Sequence, residues 1–138
     1  MRIMAIDYGD AHTGIAISDP TGLLAGYTTT IDAYTPDKVI AGIQPLITQY
    51  KVEELVLGCP KNMDGTEGPR AEKSRAFKVM LEDATGLHVV MWDERRTTID
   101  AHQILFNAGK NAKKRKKTVD AVAASLILEG YLTRLRQN

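Results

Sequence analysis

The chain has 138 residues, a net charge of +1, 43% apolar and 25% charged residues, the size and balance of one globular domain with an apolar core. No run reaches the roughly 20 apolar residues of a membrane-spanning helix, and the opening Met-Arg-Ile-Met-Ala-Ile-Asp turns acidic too soon for a secretory signal, so a cytoplasmic protein is expected. The lone Cys59 closes no internal disulfide and, with three scattered histidines, builds no zinc site; a buried thiol is expected there.

Arg2 to Asp7 is an apolar run ending in a carboxylate, followed by the turn signal Tyr8-Gly9-Asp10, and reads as a buried strand. Gly14 to Ser18 is a second strand, stopped by Asp19-Pro20-Thr21-Gly22, and Ala25 to Ile31 suits a third; the short loops between them favour an antiparallel meander. Thr35-Pro36 has the form of an N-cap followed by proline at the first helical position. Val39, Ile40, Ile43, Ile47 and Tyr50 then share one helical face, with Pro45 predicting a bend.

Glu54 to Gly58 reads as a short fourth strand, and Thr66 to Ala84 as a charged helix with Phe77, Met80, Leu81 and Ala84 inward and Gly86 near its end. Leu87 to Trp92 is the fifth strand. Thr97 or Thr98 can cap a short helix stopped by Gly109, and Thr118 can cap the last helix, with an apolar stripe at Val119, Val122, Ala123, Leu126, Ile127, Gly130 and Tyr131. A meander followed by alternating helices and strands implies an α/β fold: a five-stranded mixed sheet covered by helices.

Three carboxylates stand at the ends of these elements: Asp7 after the first strand, Glu94 after the fifth, and Asp120 in the first turn of the last helix. Ligands gather at the carboxyl ends of strands in open sheets, and hard oxygen donors in such a group suit Mg²⁺ and phosphoryl displacement. Each has a plainer account. Asp120 could serve the helix dipole, and Glu94 could pair with Arg95 or Arg96. Asp7 is the hardest to dismiss, because a carboxylate directly after a buried strand is costly to keep ionised without a partner.

Two further segments favour anions. The loop Gly58 to Thr66 leads from a strand to a helix N-terminus, where backbone amides attract phosphate and Lys61, Asn62 and Arg70 add donors. Because the net charge is small, wider attraction to nucleic acid has to come from clustering. The run Lys113-Lys114-Arg115-Lys116-Lys117 is such a cluster, or simply a solvated loop.

Ala5-Ile6-Asp7-Tyr8-Gly9 through Gly14 to Asp19, the loop Gly58 to Gly68, Trp92-Asp93-Glu94-Arg95-Arg96-Thr97-Thr98, and Val119-Asp120-Ala121 through Leu132 closely resemble the YqgF/RuvX family, small bacterial relatives of the Holliday-junction resolvase RuvC. Four motifs in family order span nearly the whole chain. The resemblance implies a single RNase H-like nuclease domain over 1–138 and a divalent-metal nuclease, with Mg²⁺ or Mn²⁺ as cofactor. It also implies a part in maturing the 5′ end of the small-subunit ribosomal RNA precursor. Asp7, Glu94 and Asp120 take the family's acidic positions as metal ligands and catalytic groups, with Asp7 bridging. His12, Lys61, Asn62, Arg70, Arg95 and Lys113 to Lys117 would contact nucleic acid.

The chain departs from the family pattern at His12, where many members have Arg or Lys, at Cys59, where Leu is common, and at Arg96, again a frequent Leu. A histidine there would tune a substrate contact near neutrality. Nucleic acid is the expected partner, RNA ahead of DNA, with ribosomal precursor particles as the setting and no membrane; monomer and homodimer stay open. The rivals are a resolvase of branched DNA, a catalytically silent RNA-binding assembly factor, and an actin-like or sugar-kinase-like ATPase, for whose second subdomain 138 residues leave no room.

Overall fold

The computed structural model describes residues 1–22, 25–59, 68–93 and 112–137, the last segment in backbone alone for 112–120 and 136–137. Five strands, β1 (Arg2–Asp7), β2 (His12–Ser18), β3 (Ala25–Asp32), β4 (Val52–Cys59) and β5 (Val89–Asp93), alternate late in the chain with helices α1 (Pro36–Tyr50) and α2 (Pro69–Thr85); α3 (Ala112–Gln137) closes it. The sheet order is β3-β2-β1-β4-β5. β1, β2 and β3 pair antiparallel, as short loops require, whereas β1–β4 and β4–β5 are parallel, joined by helical crossovers or longer connections. The mixed five-stranded sheet expected from the pattern is the one observed.

Side chains of a strand alternate between the two sides of the sheet, and β1 feeds two cores in turn. Met4 and Ile6 join Ile15, Ile17, Leu55 and Leu57 beneath α1 and α2, where Val39, Ile43, Phe77 and Leu81 close the layer. Ile3 and Ala5 face the other way with Ala16 and Val56, against Ala124, Ile127, Leu128 and Leu132 of α3. With apolar contact on both sides, the inner strands read as continuous hydrophobic runs.

Thr35 caps α1 by accepting from Lys38 N at 3.4 Å, and Pro36 opens it. The helix continues through Pro45, which is exposed. Gly86 ends α2 in the left-handed conformation, φ 70°, as its place at the end of the apolar pattern implied. Ala84, expected inward, is exposed. The buried positions Ala71, Ser74, Phe77 and Leu81, extended at 3.6 residues per turn, lead to Thr85, which is half-buried and bonds the Leu81 carbonyl at 2.6 Å. The start of that helix expected at Thr66 and the short helix after Thr97 lie outside the described residues.

The last helix corrects the sequence-based expectation. α3 begins at Ala112, so Thr118 lies inside it rather than capping it, and position 120 is in its third turn rather than its first. Lys and Arg are good helix formers, and no Gly or Pro stands between Gly109 and Gly130 to interrupt them. The basic run is therefore helical rather than a loop.

Candidate active site

Asp7 is the last residue of β1 and pairs with Gly14 of β2. The alternation that sends Ile3 and Ala5 toward α3 puts Asp7 on the same side, half-buried. The turn that follows admits little change. A Cβ on Gly9 would lie 2.3 Å from the His12 carbonyl oxygen, so only glycine fits, and its N–H donates to Thr13 Oγ1 at 3.4 Å. Tyr8 goes to the opposite side, where its ring stacks on Phe77 at 4.0 Å and 4°. Burial and the nearby Asp10 carboxylate both push the Tyr8 hydroxyl above its ordinary pKa.

The same turn meets α2, since Lys73 Nζ lies 3.4 Å from Asp10 Oδ1. Arg70, one turn earlier and exposed, is therefore at the same end of the sheet as Asp7. His12 opens β2, and its Nδ1 is 2.8 Å from Asp32 Oδ1 at the end of β3; Ala33 N, donating to Ala11 O at 3.1 Å, ties the two strands together there.

α3 is anchored on the Asp7 side of the sheet by its second half. Tyr131 donates its hydroxyl to Glu54 Oε1 at 2.5 Å and meets Trp92 edge-on at 6.1 Å. Burial first, and then Glu54, push the Tyr131 pKa up to about 12. Trp92 can lie this close because a Cβ on Gly130 would already stand 3.0 Å from its ring. Position 120 is one turn before Ala123 and Ala124, both buried. β5 ends at Asp93, and a cavity of about 350 Å³ beside it is lined by Cys59, Arg75, Met91, Trp92, Asp93 and Arg134. No spacing in the sequence marks either arginine, because one sits among the charges of α2 and the other near a helix end. Cys59 is buried, as expected of a lone thiol.

Of the expected site residues, Asp7, His12 and Arg70 come to the carboxyl end of β1. Lys61, Asn62, Glu94 and Arg95 lie outside the described residues, and Asp120 and Lys113 to Lys117 are given by backbone only. Among the described residues no three His, Cys, Asp or Glu side chains form a group fit for a metal. Asp7 itself has the donor chemistry of one hard oxygen ligand. No helix of the described residues is long and apolar enough to cross a membrane.

The RuvX family model, described as Holliday junction resolvase, matches residues 1–134. A Halothermothrix orenii protein named "Putative pre-16S rRNA nuclease" is 48% identical over 132 residues, covering 96% of this chain and 94% of its own. Thermus thermophilus RuvC in complex with Holliday junction substrate matches with a TM-score of 0.58 at 12% identity, over 98% of this chain and 96% of its own. The fowlpox virus resolvase with substrate Holliday junction DNA matches with a TM-score of 0.57 at 16% identity, over 98% and 99%. At those identities the structural likeness is one of fold, and the fold is RNase H-like.

Proposed function

The chain belongs to the RuvX family of Holliday junction resolvases and is a nuclease, a hydrolase of phosphodiester bonds; we propose that it acts with a divalent metal, Mg²⁺ or Mn²⁺, on the 5′ end of pre-16S rRNA in the cytoplasm. The observation that carries the proposal is the place of Asp7. It emerges half-buried from the carboxyl end of the central strand, on the side of the sheet packed by the helix that contains position 120. Glu94 is the residue after Asp93, where β5 ends parallel to β4 and β1.

In this reading residues 1–138 act as one domain, and Asp7, Glu94 and Asp120 would hold the metal through carboxylate oxygens. Bound there, such an ion would offset the charge that develops on phosphate oxygens during displacement. The remaining residues hold the substrate. The Arg70 guanidinium, exposed at the first turn of α2, can grip a phosphate through two parallel N–H donors. Lys61, Asn62, Arg95 and Lys113 to Lys117 would track the backbone, and contacts of that kind position a strand without reading its bases.

The name of the 48% identical relative favours ribosomal RNA, while the family description favours a four-way junction. The test is cleavage of three labelled substrates, pre-16S rRNA, single-stranded RNA and a four-way DNA junction, by pure protein with Mg²⁺, Mn²⁺ or chelator. Metal-dependent cutting of the precursor near its 5′ end is the expected result. Cutting of the junction alone would overturn the RNA assignment, and cutting in chelator would overturn the metal.

A further inference from the structure

The hydrogen bond between His12 and Asp32 is not used by any step above. β2 sends Ala16 toward α3 and Ile15 and Ile17 to the opposite core, so Gly14 and His12 belong to the α3 side. The pairs Ala5 with Ala16 and Asp7 with Gly14 agree, because directly opposed residues in an antiparallel ladder share a side. His12 is therefore on the same side as Asp7, one pleat past its partner. Diagonal neighbours of this kind are about 7–8 Å apart, the width of a phosphate or a water between them. Gly14 has no side chain to fill the gap.

Asp32 stands directly opposite His12 in the β2–β3 register. A carboxylate only accepts, so the 2.8 Å contact requires the proton on Nδ1. In the neutral ring Nε2 then carries a free lone pair. The two ring nitrogens flank Cε1 and their in-plane directions diverge, so a ring whose Nδ1 is held by Asp32 of β3 turns Nε2 away from that carboxylate. The imidazole is not sealed in, its side chain keeping 20% exposure.

We propose that His12 is the proton acceptor for the attacking water in phosphodiester hydrolysis and that Asp32 is its positioning residue, an inference that rests on the nuclease reading above. The water oxygen bonds to phosphorus and its proton passes to Nε2. The bond from phosphorus to the leaving nucleotide oxygen breaks with its electron pair, and that oxygen takes a proton from solvent. Asp32 stabilises the imidazolium, which returns its proton to solvent. Carboxylate, imidazole and nucleophile play the same parts in the triad of serine hydrolases.

The experiment is steady-state cleavage by wild type, His12→Ala, Asp32→Asn and the double variant, with thermal melts as folding controls. Loss of a general base lowers rates by about 10² to 10⁴. A fall of that order in kcat with KM unchanged is expected for His12→Ala, with partial recovery in added imidazole. Asp32→Asn should show a smaller loss in kcat, and the double variant should be no worse than His12→Ala. A raised KM with kcat unchanged would make His12 a phosphate contact instead and overturn the proposal, as would multiplying losses in the double variant. ¹⁵N NMR of the wild type needs no variant: a neutral His12 protonated at Nε2 would also overturn it. Wild type that cuts none of the three substrates defeats the nuclease reading and this inference with it, whereas a cutting wild type matched by His12→Ala defeats this inference alone.

Discussion

Tyr131→Phe removes a single oxygen from the seam between α3 and the sheet. The ring, its edge contact with Trp92 and its burial at 9% exposure are kept, so the variant isolates the 2.5 Å hydrogen bond to Glu54. A hydrogen bond to a charged acceptor contributes about 1.5–3 kcal/mol. Glu54 is half-buried and can recover water when its partner is lost, which puts the expected cost near the lower end, about 1.5 kcal/mol at pH 8.

The same bond gives the effect a pH signature. Tyr131 titrates near 10 in the unfolded chain and is pushed up to about 12 in the fold, by burial first and then by Glu54. Between these values the unfolded chain loses its proton while the native state keeps it, so unfolding stability falls as pH rises. The contribution is fully present below pH 10 and gone above pH 12. Two pKa units correspond to at most about 3 kcal/mol, and less where the hydroxyl end stays partly open. Urea melts of both proteins from pH 8 to 12 should therefore show the variant less stable at pH 8 and the two curves converging through pH 10 to 12, the remaining tyrosines and lysines cancelling in the difference. Parallel curves, or equal stability at pH 8, would refute the reasoning.

Gly9→Ala drives a Cβ to 2.3 Å from the His12 carbonyl, a backbone atom that cannot swing aside, and should cost about 2 kcal/mol or more; a thermal melt unchanged from wild type would show the turn to be pliable. Asp7→Asn should melt no lower than wild type without metal if Asp7, Glu94 and Asp120 repel one another. Added Mg²⁺ or Mn²⁺ at 100 times its dissociation constant should stabilise wild type by about 2.7 kcal/mol and the variant far less, so an equal metal shift in both would remove Asp7 from the ligand set. Replacing Lys113 to Lys117 by Ala should weaken binding evenly across RNA sequences and flatten its salt dependence by about 0.7 per lost phosphate contact. An unchanged slope would make the run a bystander.

How far the site can be read from sequence depends on which interactions are local. Asp7 is legible because four apolar residues before it share one strand and the turn after it contains glycine. Thr35 and Pro36 are legible for the same reason, since a cap contacts its own helix three residues on. The start of α3 is not, because an apolar stripe is the usual mark of a helix and Lys113 to Lys117 have none. Among the described side chains of the helix, the buried ones that pack on the sheet are Ala124, Ile127, Leu128, Tyr131 and Leu132. Helix propensity without a stripe reads as a solvated loop, and five cations near the positive end of a helix dipole would argue for one.

The pairing of His12 with Asp32 illustrates the harder case, because 20 residues separate them and only the β2–β3 register makes them neighbours. A slip of one residue would turn every side chain of a strand to the other side of the sheet, and nothing local to either residue forbids it. The register is instead held by distant matches: Ile15 and Ile17 must reach the α1 and α2 core while Ala16 lies small beneath α3. The four residues Tyr8 to Ala11 then determine which residue of β2 stands opposite Asp7. Gly9 permits that turn by leaving the His12 carbonyl its place. His12 and Asp7 thus stand on one side of the sheet across a turn that a glycine permits by its absence of atoms, and that dependence appears only when the strands are paired.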